Sequence, residues 1–268
     1  MSESHLHADN APIEGDYRVA VFSRGSDPDA MAAALGESLG LNQVDARIHA
    51  AHVPGILPDR LDHDQAVAVA SAVQKTGVTA AAIAHSEIPA MDHPEVVHHA
   101  ACLDEGLEIL GMTGARSGLI SWADLEFVSV GHVPLDSAHH YASESNVIVQ
   151  SSPHTFEEQS DGVAVKGPAC WLIARNPQRV YFINHQQMNY DYLGERKSTS
   201  AAANFQAFLS DITSAATSAY LTPATHAILD HGSAHDYTFD DTERFKQMTV
   251  LQFVLHRVMA AARVNESN

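Results

Sequence analysis

Cysteine is scarce in this chain. Cys102 and Cys170 are the two present in 268 residues. They suffice for one disulfide but not for a disulfide framework, which excludes the small secreted scaffolds held by several bridges. Cys170 lies in an apolar run beside Trp171 and reads as a small buried hydrophobe. Basic residues are also few. Fifteen Lys and Arg against 33 Asp and Glu leave a formal net charge of −18. A surface of that sign repels phosphate backbones and anionic headgroups, so no nucleic acid and no membrane are expected as partners. No apolar run reaches the roughly 20 residues of a membrane-spanning helix. The first ten residues hold neither a basic region nor an apolar core, so no signal peptide is expected. A soluble protein of the reducing cytoplasm follows. Catalytic signatures are missing too. There is no Gly-x-Ser-x-Gly, since the serine within Gly114 to Gly118 is misplaced for a nucleophile elbow, and no glycine-rich phosphate loop. Nor is there a Cys-x-x-Cys or a His-Glu-x-x-His. The chain reads as non-enzymatic.

What the chain does have is apolar material for real cores, 45% of its residues. Between Leu107 and Ile183 lie short runs rich in Val, Ile, Trp, Tyr and Phe: 107–110, 118–122, 125–130, 146–149, 169–174 and 180–183. Each is bounded by Gly, Pro, Asn or Ser, the pattern of antiparallel strands joined by turns, with one turn at Asn176-Pro177-Gln178. A helix follows, capped by Ser198 or Thr199, with Phe205, Phe208, Leu209, Ile212 and Ala216 on one face. The strand series, the segment 120–125 and the closing helix together resemble the pleckstrin-homology-like superfold over about residues 103 to 217, with polar insertions at 136–145 and 153–168. That resemblance implies a half-open β barrel plugged by its helix and implies no particular ligand.

The N-terminal part runs β, α, α, short β, α, β. Tyr17 to Phe22 is a strand. Asp27-Pro28 starts a helix carrying Met31, Leu35 and Leu39, which Gly40 stops. Asn42 caps a second helix carrying Val44 and Ile48, and Val53 to Leu57 is a short extended piece. Asp62 and Gln65 form the capping box of a third helix, with Ala66, Val69, Ala70 and Val73 on its apolar face and Gly77 at its end. Val78 to Ala84 is the last strand. Tyr17 to Phe22, Leu39-Gly40-Leu41, Val53-Pro54, Leu61 to Ala66 and Thr76-Gly77-Val78 together resemble the C-terminal domain of the ribosomal stalk protein and the related Clp protease adaptor fold. The resemblance implies a compact α/β domain that docks other proteins.

The expected fold class is thus α+β: a stalk/adaptor-like α/β domain, then an antiparallel pleckstrin-homology-like barrel with a capping helix and a helical C-terminal extension. The expected divisions are a disordered tail over 1–16, the α/β domain at 17–85, a proline-stiffened linker at 86–102, the β domain at 103–217 and the extension at 218–268. In the extension, Asp240 or Asp241 caps a final helix with Phe245, Met248, Leu251, Leu255, Val258 and Met259 on one face. That stripe packs on the barrel or forms a homodimer. The resulting expectation is a docking or adaptor protein with a protein partner.

Eighteen histidines give the alternative. His98, His99 and Cys102 are the first candidate ligands for a divalent transition metal, and His226, His231 and His235 are the second, in a metal-binding protein or metal-dependent hydrolase. Against this, adjacent histidines on an extended chain point to opposite sides, and the zinc-finger spacing has no second half. His139-His140 is a further pair. Arg196-Lys197 forms an adjacent basic pair that either holds an anion at a helix start or pairs with Glu195 or Asp191.

Overall fold

The computed structural model describes residues 15–111, 115–134 and 166–266. The chain is a mixed α+β protein with several sheets, and it divides into two compact units. One comprises 15–88 together with residues from Leu251 onward; the other is Pro89–Val250. The expected tail up to residue 14, the strand at 146–149, the His139-His140 pair and most of both polar insertions lie outside the described residues.

The first unit follows local chemistry closely. Strand β1 (Tyr17–Val21) is the centre of a three-stranded antiparallel sheet in the order β2-β1-β3, with β2 at Gly55–Ile56 and β3 at Ala80–Ala84. Helix α1 (Pro28–Leu39) starts where Asp27 Oδ1 accepts the Asp29 and Ala30 N–H groups, and it ends at Gly40 with φ 67°. Helix α2 (Gln43–Ala51) is capped by Asn42, and α3 (His63–Gln74) by the Asp62/Gln65 capping box. Alternation on the strands sends Val19 and Val21 inward, against Met31 and Leu35 of α1 and Ala66, Val69 and Val73 of α3.

In the second unit the long strands β8 (Leu125–Pro134), β9 (Lys166–Arg175) and β10 (Gln178–Asn184) pair antiparallel, and Asn176–Pro177 connects β9 to β10. Two-residue strands flank them in parallel, β4 (Glu95–Val96) on β10 and β11 (Tyr220–Leu221) on β8. A separate sheet has the order β5-β6-β7, from Ala100–Cys102, Gly106–Leu110 and Arg116–Ser121. Trp122 Nε1–H donates to the Leu103 carbonyl at 2.9 Å and holds the β5–β6 turn. Among the described residues no strand pairing closes these sheets into a barrel. The stretch 86–102, expected as a linker, carries β4 and β5 and so contributes to both sheets.

Helix α4 (Ala201–Ala215) is capped by Ser200, whose Oγ accepts the Ala203 N–H, and not by Ser198 or Thr199. Ser198 is engaged instead by Asn204, which accepts its N–H and donates to its carbonyl. The expected face of α4 is buried as read, with Phe205, Phe208, Leu209 and Ile212 against Val128, Val130 and Leu172 of the sheet. Each such side chain contributes about 1.5–3 kcal/mol. The strands are buried on their other face as well. Phe239 and Phe245 cover Gly131 there, and Ser129 hydrogen-bonds to Thr249 at 2.8 Å. Helix α5 (Pro223–Leu229) supplies Thr225, fully buried, whose hydroxyl oxygen accepts the Val130 N–H at 2.9 Å where β11 has ended. A side chain thereby satisfies a strand donor that would otherwise be orphaned.

Helix α6 (Thr242–Glu266) begins where Asp241 accepts the Arg244 N–H at 2.6 Å. Its buried positions are Thr242, Phe245, Thr249, Leu251, Phe253 and Val254, whereas Met259 is 48% exposed. The expected stripe is displaced: of its residues Phe245 and Leu251 are buried, whereas the buried face continues through Thr249, Phe253 and Val254 and leaves Leu255 and Val258 half-buried. No helix among the described residues is long and apolar enough to cross a membrane.

Candidate functional site

His98 and His99 enter β5 half-buried, held by their backbones. The His98 carbonyl accepts the Asn189 N–H at 2.7 Å and the His99 carbonyl accepts the Leu110 N–H at 2.9 Å. Cys102 continues the strand and packs on the core of the second unit. The second group is spread over exposed backbone. His226 lies on α5, His231 follows it at φ 53°, and His235 sits in a short 3-10 turn, Ala234–Asp236. Among the described residues no group of three or more His, Cys, Asp and Glu side chains is placed to share an ion, so the structure brings neither trio together. Both cysteines are free thiols.

Cys102 belongs to a different constellation. The 3-10 segment Asp191–Arg196 brings Tyr192 and Arg196 to α4, where both meet Asp211. The Tyr192 hydroxyl donates to Asp211 at 2.9 Å, and Arg196 donates through Nη1 and Nη2 at 2.9 and 2.8 Å. The Cys102 thiol lies against the Tyr192 hydroxyl. Burial pushes that thiol up to about 12, slightly offset by the Tyr192 hydrogen bond. Burial likewise raises the Tyr192 phenol, helped by Cys102 and Asp211. The Arg196 hydrogen bonds hold the Asp211 carboxyl below the usual carboxylate range. At neutral pH this group therefore has no thiolate nucleophile and no free base. What it does is clamp α4 to the 3-10 segment through a two-pronged guanidinium–carboxylate pair. Lys197 pairs with Asp191 at 2.6 Å, as expected, while Arg196 finds Asp211 fifteen residues on in place of Glu195 or Asp191. Both cations of the adjacent pair are thus engaged by carboxylates.

Among the described residues of this unit His185 is the buried histidine, 6% exposed. The strand β9 carbonyl of Pro168 accepts both the His185 backbone N–H and its ring Nδ1–H, the latter at 2.9 Å. A carbonyl only accepts, so the neutral ring carries its proton on Nδ1. Burial lowers the His185 pKa, with His132 adding to the effect and the Pro168 bond opposing it. Burial also lowers His132, which packs against Tyr237. In the unfolded chain both titrate near the ordinary value of about 6.5. As pH falls through that value the unfolded state takes up protons first, so stability is full above it and declines down to the folded pKa. The expected result is a urea midpoint that drops between about pH 7.5 and 5.5. His185→Asn, whose amide retains a donor for Pro168, flattens that drop, and an unchanged slope in the variant would remove His185 from the account.

A third feature lies on the first unit. The sequence places Val44 and Ile48 one turn apart on α2, and they are left outward, 67% and 51% exposed. The inward residue is Ala46, which meets Gly36 of α1 closely enough that a Cβ on Gly36 stands 3.4 Å from it. Small residues at the crossing draw the helices together and leave a shallow groove of about 360 Å3 with Ala32, Ala33 and Leu41 in its lining and Asp29, Glu37 and Arg47 at its edges. The i, i+4 spacing that suggests burial from sequence here marks a surface ridge, because Ala46 faces the core in its place.

No family model, curated protein or solved structure matches the chain. The site is therefore read from its own residues. The sequence signals missed two arrangements. Asp211 was not paired with Tyr192 and Arg196, since nothing local links residues that distant. The outward turn of α2 was hidden because Val44 and Ile48 look like core residues until Ala46 and Gly36 are seen together.

Proposed function

We propose that the protein is a non-enzymatic docking protein of the cytoplasm that binds a protein partner through the α2 ridge. The observation that carries this reading is the outward pair Val44 and Ile48, two branched apolar side chains in water beside a groove with charged edges. Exposed apolar surface with a polar rim is the usual mark of an interaction site. In this reading the first unit is a stalk/adaptor-like docking domain, and the second is a pleckstrin-homology-like scaffold whose thiol, phenol and carboxylate are held in resting protonation states. The other class, a metal-dependent protein using His98, His99 and Cys102 or His226, His231 and His235, draws no support from a convergent ligand group among the described residues. A second copy bound through α6 is the narrower partner, supported by exposed Met259 and Val264.

The test is a Val44→Asp/Ile48→Asp double variant compared with the unaltered chain. Exposed positions contribute within about 0.5 kcal/mol, so the thermal midpoint should hold. Quantitative affinity capture from the native cell should lose a specific partner in the variant. Identical captured sets would sink the reading. Sedimentation of both chains separates a lost partner from a lost self-association.

A further inference from the structure

On the first unit, β1 lies between two other segments at one end of the sheet. An antiparallel bridge joins Tyr17 to Leu61, which sets Arg60 beside Arg18. On the other side Arg18 pairs with Ile83, and the His85 N–H donates to the Asp16 carbonyl at 2.6 Å. With strand alternation, Arg18 and His85 share the sheet face away from Val19 and Val21. Three basic side chains from three separate segments thus meet at one edge of the fold.

Their hydrogen bonds are incomplete. Arg60 Nη2 lies 3.1 Å from His85 Nε2. A guanidinium only donates, so Nε2 accepts and the neutral ring keeps its hydrogen on Nδ1. That Nδ1 is buried without a partner, and so is Arg18 Nε. Elsewhere Arg47, Arg116, Arg179 and Arg196 each hold a carboxylate. Among the described residues neither Arg18 nor Arg60 does. The nearby acid is Asp16, whose charge acts on His85 more weakly than the two arginines do. The two buried donors lack acceptors, and among the described residues no carboxylate supplies one to them or to the Arg18 and Arg60 guanidinium groups.

We propose that Arg18, Arg60 and His85 form a binding site for a tetrahedral oxyanion of the phosphate type. A carboxylate is satisfied by one guanidinium fork in a plane. Here the donors come from three segments, and an anion with acceptor oxygens on several sides engages them together. Arg18 and His85 are half-buried while Arg60 stands at the exposed rim, and the long-range repulsion of the acidic chain is screened within about 8 Å at physiological ionic strength. Burial first, and then the charges of Arg60 and Arg18, keep His85 below its ordinary pKa, and an anion offsets those two charges.

The experiment uses the full chain labelled with 15N and titrated with inorganic phosphate at pH 7, with ionic strength held by chloride. Expected is a saturable shift of the Arg18 Nε–H and His85 ring signals, weakened at least about tenfold by Arg60→Gln. Arg60 is exposed, so the remaining amide spectrum should be unchanged. Arg18→Gln is the second variant, expected to act in the same direction. No saturation, or a response that survives both variants, overturns the site. Acetate reproducing the phosphate response overturns the tetrahedral assignment.

Discussion

Phe208→Ala is expected to cost about 3–5 kcal/mol of stability. Phe208 is fully buried in α4, edge-on to Tyr190 at 6.4 Å and to Tyr192 at 6.1 Å, and 6.4 Å from Phe205. Removing it takes away the contact surface of three rings together. The surroundings are held on both sides, by the sheet beneath and by the Tyr192–Asp211–Arg196 clamp above, so the cavity cannot readily collapse. A urea unfolding series followed by tryptophan fluorescence reads the change, since Trp171 is buried in the same unit. A loss under about 1 kcal/mol would mean that α4 repacks, and that the clamp is not rigid.

Gly106→Ala should be the most damaging single methyl in the described chain. A Cβ there lies 2.2 Å from the Ile120 carbonyl oxygen and 2.9 Å from its carbon. Both are backbone atoms of the neighbouring strand, paired through Gly106 with Ser121, so no side chain can swing aside. The strands must separate locally, at a cost of about 1–3 kcal/mol or more. Gly118→Ala is the internal control: its Cβ meets nothing within 4 Å. Amide hydrogen exchange across β6 and β7 should accelerate in the first variant and stay put in the second. Equal protection in both would show that the two strands are spaced more loosely than their register implies.

The α/β unit was largely legible before folding was considered, because its boundaries are local chemistry. Asp27, Asn42 and the Asp62/Gln65 pair announce helix starts and Gly40 announces a stop. The second unit was legible in its long strands and in α4, whose apolar face repeats over about three turns. It was not legible in β4 and β11. Two residues carry no periodicity, and each pairs in parallel with a strand some ninety residues away. The candidate sites divide in the same way. Arg196 and Lys197 announce a charged cluster by adjacency. Arg18, Arg60 and His85 are scattered across 68 positions and meet only through sheet register.

The first unit draws on both ends of the chain, 15–88 and the residues after 250, whereas the second is continuous. On a translating ribosome the order of maturation is therefore inverted. The α/β segment emerges first, with its own core from Val19 to Ala80, while Pro89–Val250 is still to be made. The residues from Leu251 onward, which belong to the opening unit, leave the exit tunnel last. At about 5–20 residues per second the delay between residue 88 and residue 251 is on the order of ten seconds or more. Through that interval the ridge at Val44 and Ile48 is already made, and a stop codon before Leu251 releases a chain whose first unit lacks its last segment.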